Sequence, residues 1–206
     1  MDSHLFIAFV IATTIMIFTP GPSVLLTVAH SVSFGWRQSL FTVGGATAGV
    51  AVQLIVAAIG LASLLNTIAG AFDWLRWLGA AYLVYLGIKQ WRSAGAHQVF
   101  ETEPTSSSDL FVQGLVTTIP NPKSLIFIAA FLPQFIDETH PLIAQFAIIV
   151  PTFLVITFVI TAIWAFMAGQ ARRLMRNQKT FKAMLRGSGL LMIGAGVGLA
   201  LASRNR

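Results

Sequence analysis

The chain has 206 residues, of which 56% are hydrophobic and only 10% charged, and its mean hydropathy is +0.78. A soluble domain of this size carries about 25% charged residues, so the composition excludes a soluble globular fold and indicates an integral membrane protein. The net charge of +6 does not argue for nucleic acid, because the basic residues gather at the ends of apolar stretches, as membrane topology and contact with anionic lipid require.

Stretches 5–36, 38–72 and 139–171 contain no Asp, Glu, Lys or Arg. Each exceeds the roughly 20 apolar residues that span a bilayer. The first predicted span is 4–26. No Lys or Arg precedes it, so it lacks the basic start of a secretory signal and reads as a retained helix. Inside it stands Pro20-Gly21-Pro22. A proline removes one helical hydrogen bond and clashes with the preceding turn, so the bracket should open the helix. Open backbone at membrane depth is tolerated only where protein or a water-filled cavity surrounds it.

The second predicted span, 39–65, carries Gly45-Ala46-Thr47-Ala48-Gly49, whose small residues permit close helix contact, and the polar Gln53. The third, 72–91, has Trp74 and Trp77 at one end and Trp91 at the other, with Tyr82 and Tyr85 between. From 73 to 91 is 19 residues, about 28 Å of helix, which matches an aromatic belt at each interface. Residues 93–109 are the sustained polar stretch between spans and read as a solvated linker. Asp109 is the expected N-cap of the next helix.

The fourth predicted span, 111–136, repeats the bracket as Pro120-Asn121-Pro122, one hundred positions after the first, and adds Lys123 near mid-span. The fifth is 142–169. A basic segment follows, with Arg172, Arg173, Arg176, Lys179, Lys182 and Arg186. The sixth, 185–203, contains Gly194-Ala195-Gly196-Val197-Gly198. That run reads as GxGxG, but no predicted strand precedes it, so a dinucleotide loop is not indicated. Its spacing suits helix packing within the fold or between two copies of the chain.

The expected fold is all-α integral membrane: one transmembrane domain over 1–206, with six transmembrane helices as two three-helix inverted repeats. The halves are 1–92 and 110–206, joined by the linker 93–109. Two sequential copies of an odd-span unit insert in opposite orientations. Nine Lys or Arg fall near one set of span ends and three near the other, which places the odd-numbered loops in the cytoplasm and both termini outside.

A pair of interrupted helices at matching places in two halves points to a transporter's binding site. After each bracket a helix restarts, and its N-terminus offers free N–H groups and a positive dipole end to a carboxylate. The carbonyls upstream, at Phe18 and Thr19 and at Thr118 and Ile119, can accept from an ammonium group. Both ends of a zwitterionic amino acid are thereby matched. Lys123 is either a substrate-carboxylate or proton-linked group facing a cavity or a lysine that snorkels to the surface. The candidate substrate-binding residues are Thr19, Pro20, Gly21, Pro22, Ser23, Gln53, Tyr82, Asn121, Pro122 and Lys123. For Gln53 and Tyr82 the alternative is plain interhelical hydrogen bonding.

Catalytic and metal chemistry find little footing. Cysteine is absent, and His4, His30, His97 and His140 show no ligand spacing. No Ser-His-Asp set or pair of carboxylates falls within a span, so no cofactor is expected and an enzyme or metal exporter is poorly supported.

The blocks TPGPSVLLTVAHSVSFGWRQSL at 19–40, GGATAG at 44–49, WLGAAYLVYLGIKQWR at 77–92 and NPKSLIFIAAFLPQFI at 121–136 resemble the lysine-exporter (LysE) family, and within it the homoserine/threonine efflux branch. The resemblance implies a small bacterial inner-membrane exporter of amino acids or similar metabolites, driven by the proton-motive force and open to homodimer formation. Its implied partners are the amino-acid substrate, protons and membrane lipid. The text TPGPS, where many members of that branch have SPGSG-like text, leaves the substrate open: another metabolite or toxic analogue remains an alternative. So does a scaffold subunit without flux, although a scaffold needs neither Lys123 nor broken helices. The proton carrier is a water path, Lys123, or an end-of-span acid such as Asp73 or Asp137.

Overall fold

The computed structural model describes residues 3–64, 71–93, 106–137, 139–171 and 178–202. Among these residues the secondary structure is helical throughout. Helix α1 is Ser3–Phe18, α2 Pro22–Phe34, α3 Trp36–Leu64, α4 Ala71–Ser93, α5 Ser107–Thr118, α6 Pro122–Phe131, α7 Leu142–Gln170 and α8 Gln178–Ala202, with a 3-10 turn at Leu132–Phe135 after α6. Most of the polar linker (94–105) and the first part of the basic segment (172–177) lie outside the described residues.

Both proline brackets break their helices. The α1 and α2 axes meet at 53°, and those of α5 and α6 (with its 3-10 turn) at 51°. Gly21 and Asn121, each before the second proline of its bracket, are extended, as a following proline favours, whereas Ile119 before Pro120 keeps helical angles. A proline inside a helix removes a hydrogen bond, while one at the first helical position costs little. Hence α1 stops before Thr19-Pro20 and α2 restarts on Pro22. In the second half α5 stops before Pro120 and α6 restarts on Pro122. A single proline has less effect: Pro151 lies inside α7, which stays helical through it.

Helices α3 and α7 are each long and apolar enough to cross a bilayer, and each bent pair passes the same test taken as one span. Within α4 and α8 the apolar cores Ala80–Lys89 and Gly189–Gly198 are shorter. Large apolar side chains such as Ile59, Leu78, Ile143 and Val155 are exposed on the outer faces, as lipid contact requires and a soluble surface of this extent would not tolerate.

Several boundaries differ from the sequence expectation. The helix of the sixth span starts at Gln178 rather than 185, so Lys179, Lys182 and Arg186 lie on α8 and not in the loop before it. The first span does not end near residue 26, because α2 continues to Phe34, and α3 begins at Trp36 rather than 39. His30 and Ser31, beyond the expected end of the span, are buried. The turn is confined to Gly35, whose φ of 92° is the left-handed conformation that only glycine adopts cheaply. The N-cap of α5 is Ser106, not Asp109. Asp109 lies one turn further in and returns a bond to the Ser106 backbone, closing a capping box.

Chain direction follows from contacts at the two ends of the bundle. Ser107, at the start of α5, donates to Gln38 near the start of α3 (3.4 Å). At the far end Phe9 of α1 packs edge-on against Phe135 (5.6 Å). The bent pairs α1–α2 and α5–α6 therefore run in opposite directions. So do α3 and α7, since the end of α7 packs Phe166 on Trp36 (5.6 Å).

Glycines set the closest approaches. A Cβ on Gly45 of α3 would lie 1.9 Å from the Phe111 carbonyl oxygen of α5, and one on Gly114 of α5 would lie 2.3 Å from the Thr42 carbonyl oxygen. Helices α4 and α8 meet the same way, through Gly87, Gly189 and Gly196, whereas Gly194 and Gly198 face open space. The main core gathers Phe9, Val28, Leu54, Ile128, Ile149 and Phe153 from α1, α2, α3, α6 and α7.

Candidate functional site

The two breaks meet inside the bundle. The Lys123 side chain, 5% exposed, reaches across from the first turn of α6 and donates its amine to the Thr19 carbonyl at the end of α1. Asn121 Nδ2 donates to Ser23 Oγ in the first turn of α2 (3.1 Å), and Thr118 Oγ1 donates to the same oxygen (2.8 Å). Gly21, Ser23, Thr118, Asn121, Lys123 and Ser124 line one side of a small cavity here, and Thr157 and Thr161 of α7 contribute polar groups to it. The cavity offers about 40 Å³ to water-sized centres, room for about three waters and too little for an amino acid. Beyond it, towards the Phe135 end, Phe9, Phe153 and Phe127 pack ring against ring.

Each break leaves carbonyls without helical partners, and the protein supplies donors for them. At the first, Lys123 takes Thr19 O and Trp164 Nε1 takes Phe18 O (3.2 Å). The Thr19 hydroxyl turns back to Ile15 O (2.8 Å). At the second, Gln53 Nε2 takes both Thr118 O (2.7 Å) and Ile119 O (3.0 Å). The four carbonyls expected to receive an ammonium group are thus held by side chains of the chain itself.

The restarted N-termini are unequal. Asn121 Oδ1 accepts from the Lys123 backbone N–H (3.1 Å) and caps α6. The corresponding position before α2 is Gly21, which has no side chain to cap with. Lys123 also lies against Gly21: a Cβ there would fall 2.9 Å from Lys123 Cδ and 3.6 Å from its Nζ. The amine and the uncapped end of α2 are therefore neighbours.

Of the sequence candidates, Thr19, Gly21, Ser23, Asn121 and Lys123 meet here, and Pro20, Pro22 and Pro122 shape the breaks that hold them. Gln53 is buried beside the second break but serves its carbonyls and does not line the cavity. Its Oε1 has no partner among the described residues. Tyr82 is not brought to the site. It is 36% exposed on α4, with its ring 5.7 Å from that of Tyr85, because the two residues stand three apart on the outward face of the helix. Asp137 is bonded to Thr139 and His140 in the loop before α7, and the Asp73 side chain lies outside the described residues.

Ser124, Thr157 and Trp164 belong to the site although sequence reasoning does not reach them, and Thr118, expected there through its carbonyl alone, also brings its hydroxyl. Thr118 and Ser124 flank the bracket, which is a usable signal. Thr157 and Trp164 stand in a long apolar run whose facing direction only packing decides. His30 is a second buried polar centre, its Nδ1 2.7 Å from Thr42 Oγ1, lower on α2 and outside the cavity lining.

The family model described as "LysE type translocator" matches residues 14–203. The chain is 33% identical over 198 residues to a homoserine/homoserine lactone efflux protein of Salmonella typhimurium, covering 95% of each chain. It is 30% identical over 203 residues to an uncharacterized membrane protein of Vibrio cholerae, covering 98% of this chain and 99% of that one. No solved structure matches it.

Proposed function

The chain belongs to the LysE-type translocator family, and from that membership we propose that it exports a small amino acid of the homoserine or threonine kind, or a closely related metabolite, out of the cytoplasm in exchange for protons. It is a multi-pass bacterial inner-membrane transporter and not an enzyme.

One observation carries the reading: two interrupted helices from opposite halves meet at a small cavity lined by side chains of both breaks and by apolar neighbours, with the buried amine of Lys123 bridging the breaks. A transporter needs polar backbone at mid-depth, and surrounding protein must shield it from lipid. The antiparallel course of the bent pairs, tied at one end by Ser107 to Gln38 and at the other by Phe9 against Phe135, supports six spans arranged as two inverted three-helix repeats. In such a fold transport proceeds by rocking one repeat against the other around a fixed site. The substrate-contacting set is then Thr19, Gly21, Ser23, Asn121 and Lys123, while Pro20, Pro22 and Pro122 keep the breaks open. Proton coupling falls to Lys123, the titratable side chain among the described residues that line the cavity.

The test is efflux from bacterial cells with and without the protein, loaded in turn with a panel of amino acids, lactones and toxic analogues. Faster efflux and higher resistance for homoserine or threonine are expected. Equal efflux for every compound, with the protein present in the membrane, overturns the reading.

A further inference from the structure

The Lys123 amine holds a place that a substrate would use. It sits on the Thr19 carbonyl, an acceptor suited to an ammonium group, and it stands beside the uncapped N-terminus of α2, a place suited to a carboxylate. Apart from Asp109 in the first turn of α5, helices α1, α2, α3, α5, α6 and α7 contain no Asp or Glu. Among the described residues no carboxylate is bonded to this buried amine, although a cation at membrane depth is normally paired. The neighbouring carbonyls are held differently: Trp164 and Gln53 are neutral donors, and a bound anion gains less from drawing them away than from drawing away an ammonium group.

Resting on the export reading, we infer that a zwitterionic substrate loads by exchange. Its carboxylate draws the Lys123 amine off the Thr19 carbonyl, and its ammonium takes the carbonyl that Lys123 leaves. Lys123 is then the residue that selects a free α-carboxylate, and its amine acts as a tethered stand-in for the substrate's ammonium on Thr19 O. A compound with the ammonium but no carboxylate, such as a lactone of the same amino acid, competes for Thr19 O without giving Lys123 anywhere to go. Two ammonium groups then contest one acceptor, and loading is disfavoured.

The experiment uses full-length protein in liposomes loaded with labelled homoserine or labelled homoserine lactone, comparing wild type with Lys123→Met and Lys123→Arg. Removing a charge-assisted bond to the carboxylate costs about tenfold or more in binding. The expected result is that the homoserine-to-lactone flux ratio falls about tenfold in Lys123→Met and stays within about threefold of wild type in Lys123→Arg. In detergent, homoserine should raise the melting temperature of wild type, and this shift should vanish in Lys123→Met. A ratio unchanged in Lys123→Met, both fluxes falling in equal proportion, overturns the exchange while leaving the export reading intact. A ratio that collapses in Lys123→Arg also overturns it, since charge is kept there. Wild-type liposomes that move neither compound overturn the export reading and the exchange with it.

Discussion

The side-chain amide of Gln53 lies 2.7 Å from the carbonyl oxygen of Thr118, the last residue of α5, and the same nitrogen reaches Ile119 O at 3.0 Å. One donor from α3 thus closes the second helix break. Gln53→Leu would leave Ile119 O without that donor and Thr118 O with the Asn121 backbone N–H alone, at a cost of about 1 kcal/mol. The variant should melt earlier in detergent while keeping wild-type substrate affinity, because Gln53 does not line the cavity. A large rise in the substrate concentration for half-maximal efflux, with melting unchanged, would instead place Gln53 among the substrate contacts.

Gly21→Ala tests the site from the other side. The φ at Gly21 is −113°, which any residue adopts, so the backbone is not strained by the change. The added methyl falls 2.9 Å from Lys123 Cδ and forces the lysine side chain to move off Thr19 O. Efflux should drop about tenfold, while unfolding shifts by no more than about 1 kcal/mol because the helices themselves are untouched.

Close packing of α3 on α5 gives a contrast within one residue type. Gly45→Ala drives a methyl into the Phe111 backbone, which cannot rotate away. Overpacking of this kind costs about 1–3 kcal/mol or more, so the variant should lose folded protein at the membrane and melt earlier. Gly194→Ala meets nothing within 4 Å and gains the helix propensity of alanine. Its stability should equal or slightly exceed that of wild type in the same melting assay.

The loop before α7 carries a pH dependence of known sign. The Thr139 hydroxyl and then the Thr139 backbone N–H, bonded to Asp137 Oδ1, hold the Asp137 carboxyl below its usual range, and His140 beside it adds to the effect. Because the folded form is the stronger acid, the contribution is complete above the ordinary carboxylate range. It fades as pH falls through the depressed value. Melting temperature measured from neutral to strongly acidic pH should decline less steeply in Asp137→Asn than in wild type. Parallel curves would mean that the loop bonds do not couple to folding.

The break positions are legible before any coordinates, because proline acts on its own backbone and needs no partner to do so. Lys123 is legible as a buried group for a similar reason: a charge inside an apolar run must have a cavity or a partner. The sequence does not reveal which acceptor it finds. Thr19 lies 104 positions away, and that pairing depends on how the two bent pairs cross. The same limit explains Tyr82 and Gln53. Both are polar residues in apolar helices, and nothing in either helix's own periodicity says that one face turns to lipid and the other to the second break. The first span runs past its expected end because Thr42 and the α7 backbone satisfy His30 and Ser31 in the interior, partners that lie in other helices.

The opposed course of the two bent pairs can be tested by cysteine chemistry, since the chain has no cysteine of its own. Gln38 and Ser107 are in side-chain contact at 3.4 Å. A Gln38→Cys, Ser107→Cys pair should form a disulfide under mild oxidation, provided the Cβ atoms come within about 4.5 Å. The orientation expected from the clustering of basic residues has this end of the bundle facing the cytoplasm. Each single variant should therefore react with an impermeant thiol reagent in inside-out vesicles and resist it in intact cells. Thr139→Cys, in the loop at the opposite end, should show the reverse. If position 107 reacted from the outside while position 38 reacted from the inside, the two halves would insert in the same sense. The inverted repeat, and with it rocking about a shared cavity, would then have to be given up.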